Sequence, residues 1–484
     1  MAQSVEELPT TKVAAPVAPP EDRSVARRRM LTFLVLCAGF VMTQLDMMIV
    51  NVAFPALEHE FRGSTVAGLS WTLNAYTIVF AALLVPAGRL SDRSSRKGGF
   101  LIGLGLFTVA STLCAIAQNV PELVAARVLQ AAGAAAMVPT ALGLLLAAYP
   151  AEKRGGAIRA WTAVGGIAAA IAPILGGSLV NLDWRWIFLV NLPFGIAALL
   201  VGRRVLPANQ EPATGPVPDL FGAVFLILGI ASLALGLVKA PEWGWGSVNF
   251  VGAIAVAVAS FAAFFVRSAR HAHPVLPLGL LKLRSFSIAN VLALTFNIAF
   301  AAMLFSFMLW AETVWGYSAL KTGLALAPGT FLMPPLAFSV GKLVKRFGVT
   351  AVITTGCVLL TGALAWWAAL AAADASYWSM LLPGAVLAPV GTILVITALV
   401  GVVTRDLPAP SYATGSAVNM MVRQIGLTVG VSVFIAAFGT PHGVAETVKA
   451  FQHGWVVTAA LAGAAALVAL LLAALPKETA AAKG

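Results

Sequence analysis

Two charged residues stand where charge is costly. Asp46 lies in Leu45-Asp46-Met47-Met48-Ile49-Val50-Asn51, and Arg127 opens Arg127-Val128-Leu129-Gln130, each inside a long apolar stretch. A carboxylate in hydrocarbon must pair, meet water or take up a proton. Asp46 is therefore a candidate proton carrier, with a permanently paired structural acid as the alternative. A guanidinium keeps its charge, so Arg127 is the natural partner: brought beside a protonated Asp46, it favours the carboxylate and displaces the proton. Glu312 follows Leu309-Trp310-Ala311 near the end of another apolar run. It is a second candidate proton or cation site, with a solvated rim residue as the alternative. Asn419, Arg423 and Gln424 share a third run and read as a polar network between helices. Asn51, Gln130, Trp310 and Trp366 are candidate residues of a substrate cavity, with interfacial anchoring as the alternative for the tryptophans.

The elements that position these residues are membrane spans. Of the 484 residues 60% are hydrophobic and only 10% charged, whereas soluble domains are about half apolar and a quarter charged. That excludes a soluble multidomain enzyme, a disordered chain and a nucleic-acid-binding protein, despite the net charge of +12. Runs long enough to cross a bilayer are expected at 31–54, 69–87, 99–118, 122–148, 157–180, 186–202, 220–238, 249–266, 286–310, 322–340, 349–372, 377–401, 416–438 and 454–475. With the N-terminus inside and the spans alternating, the cytoplasmic segments hold twenty-four Lys and Arg against five outside. This bias sets the orientation, with both termini cytoplasmic. Asp46 then falls about 24 Å along span 1 and Arg127 about 10 Å below the outer end of span 4. Both lie in the outer half of a core about 30 Å thick.

Gly88-Arg89-Leu90-Ser91-Asp92-Arg93 after span 2 and Gly341-Lys342-Leu343-Val344-Lys345-Arg346 after span 10 share one pattern, each placed on a short cytoplasmic loop. The repeat divides the chain into a disordered tail (1–29), a six-span bundle (30–204), a linker with an inserted hairpin of spans 7 and 8 (205–268), a second six-span bundle (269–476) and a short tail (477–484). The expected fold is an all-α polytopic membrane protein, two six-helix bundles plus an inserted hairpin. Parallel halves of this kind place substrate between them near mid-membrane. His59, His271, His273, His442 and His453 fall in loops or at span ends, and Cys37, Cys114 and Cys357 are isolated. No metal site is therefore expected, and no phosphate-binding loop is present. With no cofactor, the energy source must be an ion gradient.

Five motifs carry a resemblance. They are Leu45 to Pro55, Gly88 to Lys97, Arg127 to Gly133, Ala172-Pro173-Ile174-Leu175-Gly176-Gly177, and Trp184 to Pro193. In this order and in these spans the chain resembles the major facilitator superfamily, in its fourteen-span drug:proton antiporter branch. Ser95, Ala131 and Ala172 stand where that branch usually has glycine. The resemblance implies that Gly88, Asp92 and Arg93 form a cytoplasmic latch, Asp92 meeting the start of span 13 around Ser411, Thr414 and Ser416. It also implies that Pro173, Gly176 and Gly177 form the antiporter signature, a seal or pivot, with tight packing alone as the other reading. The implied function is proton-coupled export of amphipathic organic compounds by a monomeric transporter of a bacterial cytoplasmic membrane, with no nucleic-acid partner and no enzymatic reaction. The alternatives are a nutrient symporter, or a sensor or enzyme on a transporter fold.

Overall fold

Backbone in hydrocarbon has no water to satisfy its N–H and C=O groups, and a helix closes those bonds within itself. Each apolar run forms a helix in the computed structural model, and no strand occurs among the described residues. The structure describes residues 23–61, 63–93, 95–207, 219–374, 376–407 and 412–474. In chain order spans 1 to 7 are Arg23–Glu60, Val66–Ser91, Arg96–Ile116, Val120–Ala148, Gly156–Val180, Trp186–Val205 and Leu220–Trp243. Spans 8 to 14 are Val248–Arg270, Arg284–Thr313, Ala319–Phe347, Val349–Leu370, Tyr377–Thr404, Thr414–Phe438 and Val444–Ala474.

Several boundaries differ from the sequence reading. Residues 23–29, assigned to a disordered tail, are the first turns of span 1. Nothing there breaks a helix, and Arg28 and Arg29 donate to the carbonyls of Val205 and Ala148 at 3.2 and 3.1 Å. Gly88–Arg93 and Gly341–Arg346, read as loops, are the last turns of the helices Trp71–Arg93 and Ala319–Phe347. Neither hexapeptide holds a proline, so the helix outlasts the apolar run. The chain restarts at Ser95, whose hydroxyl accepts from the Gly98 amide at 3.0 Å, and turns at Gly348, whose φ of 85° favours glycine.

The contacts between spans repeat with a shift of eight. Span 1 packs on spans 4, 5 and 6, span 2 on span 4, and span 3 on spans 4 and 6. Span 9 likewise packs on spans 12, 13 and 14, span 10 on span 12, and span 11 on spans 12 and 14. Spans 1–6 and 9–14 are two copies of one bundle. They meet where span 2 lies on span 13, where span 5 lies on span 10, and where span 1 touches span 9. Spans 7 and 8 pack on each other, and span 7 covers the seam between spans 2 and 13. The foot of this hairpin is fixed by buried Asp219, which caps span 7 at the Gly222 amide (2.9 Å) and pairs with Arg267 of span 8 at 2.5 Å.

An even number of spans puts residues 23 and 474 on one face, called terminal here, the other being distal. The Thr77 and Thr428 hydroxyls lie 2.5 Å apart, Asn74 donates to Ser432 at 3.4 Å, and Gln424 Nε2 donates to Met47 Sδ at 3.5 Å. The rings of Phe54 and Phe305 meet edge-on at 4.9 Å. Among the described residues, these side-chain bridges between spans of the two bundles run from mid-span to the distal end. The seam between spans 5 and 10 is closer still. A methyl group on Gly177 would strike the backbone of Ala319 and Leu320, and one on Gly323 the backbone of Pro173 and Ile174. Gly176 faces span 1 instead, its Cβ position 2.6 Å from Ile49 Cγ1.

Candidate functional site

A buried carboxylate needs a donor for each oxygen. Arg127 Nη1 donates to Asp46 Oδ2 at 2.5 Å, and Gln130 Nε2 to Asp46 Oδ1 at 2.8 Å. Arg127 and Gln130 are three residues apart, hence on one face of span 4, and Nη1 also donates to Gln130 Oε1 at 2.6 Å. All three residues are at most 1% exposed. Gln130 Nε2 reaches Ser111 Oγ of span 3 at 2.9 Å, and Asn191 Nδ2 of span 6 donates to the same hydroxyl at 3.4 Å. Arg127 Nε donates to the Thr72 carbonyl of span 2 at 3.0 Å, and its guanidinium lies 4.2 Å over the ring of Tyr76. Five spans of the first bundle thus converge on one ion pair, and an aromatic face adds cation–π attraction.

The hydrogen-bond pattern is that of an ionised Asp46, since both oxygens face N–H donors. A protonated carboxyl would turn an O–H toward a donor, so proton uptake requires Arg127 or Gln130 to withdraw. Arg127 also borders the space between the bundles. A cavity of about 40 Å³ is lined by Met47, Asn51, Tyr76 and Arg127 on one side and by Phe300 and Leu427 on the other. A second cavity, about 250 Å³, lies at the distal end among Glu58, Thr65, Glu242, Leu309 and Thr440.

The structure brings Asp46 and Arg127 together as expected and redistributes other residues. Asn51 does line the central cavity, with its amide donating to the Met47 carbonyl at 3.2 Å. Gln130 is fully buried in the ion-pair network and lines neither cavity. Trp310 is fully buried in the second bundle, its ring 5.1 Å from those of Trp455 and Phe451, where it fills the helix core. Trp366 is 42% exposed and donates to the Ser379 carbonyl at 3.1 Å, also away from both cavities. Glu312 stands apart from the pair near the distal end of span 9, with Oε1 buried and unpartnered. The network expected of Asn419, Arg423 and Gln424 does not form as one unit. Asn419 donates to Asn290 of span 9 at 3.2 Å, Gln424 to Met47 of span 1, and Arg423 bonds to neither.

Gly88 packs on span 4, a methyl there lying 3.3 Å from Pro139 Cβ, and Arg93 is exposed. The Asp92 side chain and Ser411 lie outside the described residues. Neighbouring Arg89, given no role of its own in the sequence reading, donates to the carbonyls of His273 and Pro274 at 2.7 and 2.9 Å, strapping span 2 to the segment before span 9. Sequence reasoning also missed Tyr76, Ser111 and Asn191. Asn191 lies inside a quoted motif, while Tyr76 and Ser111 stand out only as polar groups within spans.

The sequence model of the Major Facilitator Superfamily matches residues 36–431. The tetracenomycin C resistance and export protein of Streptomyces glaucescens is 33% identical over 408 residues, 83% of this chain and 74% of that protein. The cephamycin export protein CmcT of Amycolatopsis lactamdurans is 32% identical over 457 residues, 93% of each chain. A solved auto-inhibited peptide transporter of the POT family shares the fold at a TM-score of 0.65, covering 95% of this chain and 99% of that one at 16% identity. The doubled six-span bundle and the family match along most of its length agree, and the chain belongs to the major facilitator superfamily of transporters.

Proposed function

We propose that this protein exports amphipathic organic compounds across a bacterial cytoplasmic membrane in exchange for protons, by alternating access. The terminal face is the cytoplasmic one, in keeping with the distribution of Lys and Arg. The observation that carries the reading is the buried Asp46–Arg127 pair at the edge of the central cavity. The export activities named for the relatives support the direction of transport. In the arrangement closed at the distal end, Arg127 and Gln130 occupy both oxygens of Asp46, which suits a proton just released toward the cytoplasm. Opening the distal side draws Arg127 away and frees Asp46 for an outside proton; neutral, it is then cheap to bury.

The test is substrate-induced proton release from purified protein, together with uphill transport in proteoliposomes. Asp46→Asn should abolish both while substrate binding persists. Arg127→Ala should uncouple transport too, and Arg127→Lys should restore part of it, because the charge survives without the planar fork. If Asp46→Asn still releases protons and pumps uphill, the coupling role passes to Glu312.

A further inference from the structure

Charge deep in the spans is scarce. Counting Asp, Glu, Lys and Arg more than six residues from either end of a span leaves three: Asp46, Arg127 and Arg423. Asp46 and Arg127 cancel each other at 2.5 Å. Arg423 has no ion-pair or hydrogen-bond partner among the described residues. It is half-buried, nine residues into span 13. That is about 14 Å from the start of the span, near the middle of a core about 30 Å thick.

Its direction follows from the helix. Residues 420, 423 and 427 are three and four apart and share a face. Leu427 lines the central cavity, and Met420 packs against the first bundle. The guanidinium thus flanks the space between the bundles, on the terminal side of the cavity. Gln424 stands beside it, its Oε1 buried and unpartnered. A guanidinium does not shed its charge, and an unpaired one in hydrocarbon is costly. Among the described residues the spans supply no counter-charge, so a molecule that visits the cavity must.

We propose that Arg423 is the headgroup site for an anionic amphipathic substrate, an organic carboxylate or an equally acidic group, whose apolar body lies toward Leu427, Met48 and Phe300. This rests on the export reading above and names its substrate class. One negative charge brings the mid-span total from +1 to zero, whereas a cationic compound raises it to +2. Planar carboxylates match the guanidinium fork.

Full-length protein in phosphatidylcholine nanodiscs, which supply no anionic lipid, is titrated with pyrenebutanoate, its amide and a pyrenylbutyl trimethylammonium salt. These probes share one apolar body and carry charges of −1, 0 and +1. Wild type should bind the carboxylate at least about tenfold more tightly than the amide, and the cation more weakly than the amide. Arg423→Gln should bring the three affinities within about twofold of one another, and Arg423→Lys should keep part of the preference. Equal affinities in wild type, or a preference that survives in Arg423→Gln, overturn the proposal. The wild-type series alone decides the sign if a variant misfolds. Export is read separately, as uptake into inverted vesicles under a proton gradient. Uptake without charge preference removes the anion site and leaves export standing. An Arg423-dependent preference without uptake keeps the site and removes export.

Discussion

The seam between spans 5 and 10 offers the most direct handle on the proposed conformational cycle. A methyl group on Gly177 would lie 2.5 Å from Leu320 Cα and strike the Ala319 backbone. These are backbone atoms and cannot rotate aside. Carbon atoms in contact sit about 3.5–4.0 Å apart, so Gly177→Ala must push the spans apart by roughly 1 Å or leave the closed seam strained. Overpacking of this kind costs about 1–3 kcal/mol, borne only by the state in which the seam is shut. The ratio of distal-closed to distal-open molecules should fall roughly 5- to 150-fold, since a ligand-free equilibrium shifts by the differential free energy. Spin labels on Leu182→Cys and Val444→Cys, exposed distal positions on the two bundles at 75% and 62%, would report the change as a longer distance distribution. The native cysteines are buried and do not compete. Gly166→Ala on the same span is the control, because nothing lies within 4 Å of its Cβ position. A folded Gly177→Ala protein with the distances of the control would refute this seam as the distal closure.

Three further outcomes follow from named contacts. Gln130→Ala strips the donor from Asp46 Oδ1 and should cost about 1–3 kcal/mol, seen as a lower thermal unfolding midpoint; an unchanged midpoint would mean water replaces the amide. Trp310→Ala, in the core of the second bundle, should cost about 3–5 kcal/mol, whereas Trp366→Ala, 42% exposed, should leave both stability and substrate range nearly intact in thermal and transport assays. Arg89→Ala releases the carbonyls of His273 and Pro274, so amide exchange between spans 8 and 9 should quicken by mass spectrometry while the span interiors do not change.

The fold was legible because a bilayer leaves so few choices. An apolar run of about 20 residues must be a helix, and the repeated Gly-basic-Leu-x-x-Arg pattern pointed to a doubled bundle. The ion pair was legible for the same reason, since two opposite charges at matching depth have little else to pair with. The failures share a cause. The apolar run ends at the edge of the hydrocarbon but the helix need not, so Gly88–Arg93 looked like a loop and residues 23–29 like a tail. Size and polarity also do not reveal which way a side chain turns. Gln130 and Trp310 had the right types for a cavity, but their helix faces point into bundle cores. Asn419, Arg423 and Gln424 looked like one network because they are close in sequence, yet they point toward span 9, the central space and span 1.

That divergence bears on how proton and substrate communicate. Coupling requires an element with two arrangements that both sites bias, and in the proposed mechanism the closure between the bundles is that element. Asp46 and Arg127 hang on spans 1 and 4 of one bundle, and Arg423 on span 13 of the other. The contact of Met47 with Gln424 links the two sites, these being the residues that follow Asp46 and Arg423 in sequence. A movement of span 13 against span 1 therefore acts on the neighbours of both charges at once. In a core holding three deep charges, binding an anion at Arg423 and a proton at Asp46 each change the cost of exposing or burying that space. In the proposed mechanism each ligand affects the other through the seam without touching it, as reciprocal linkage demands.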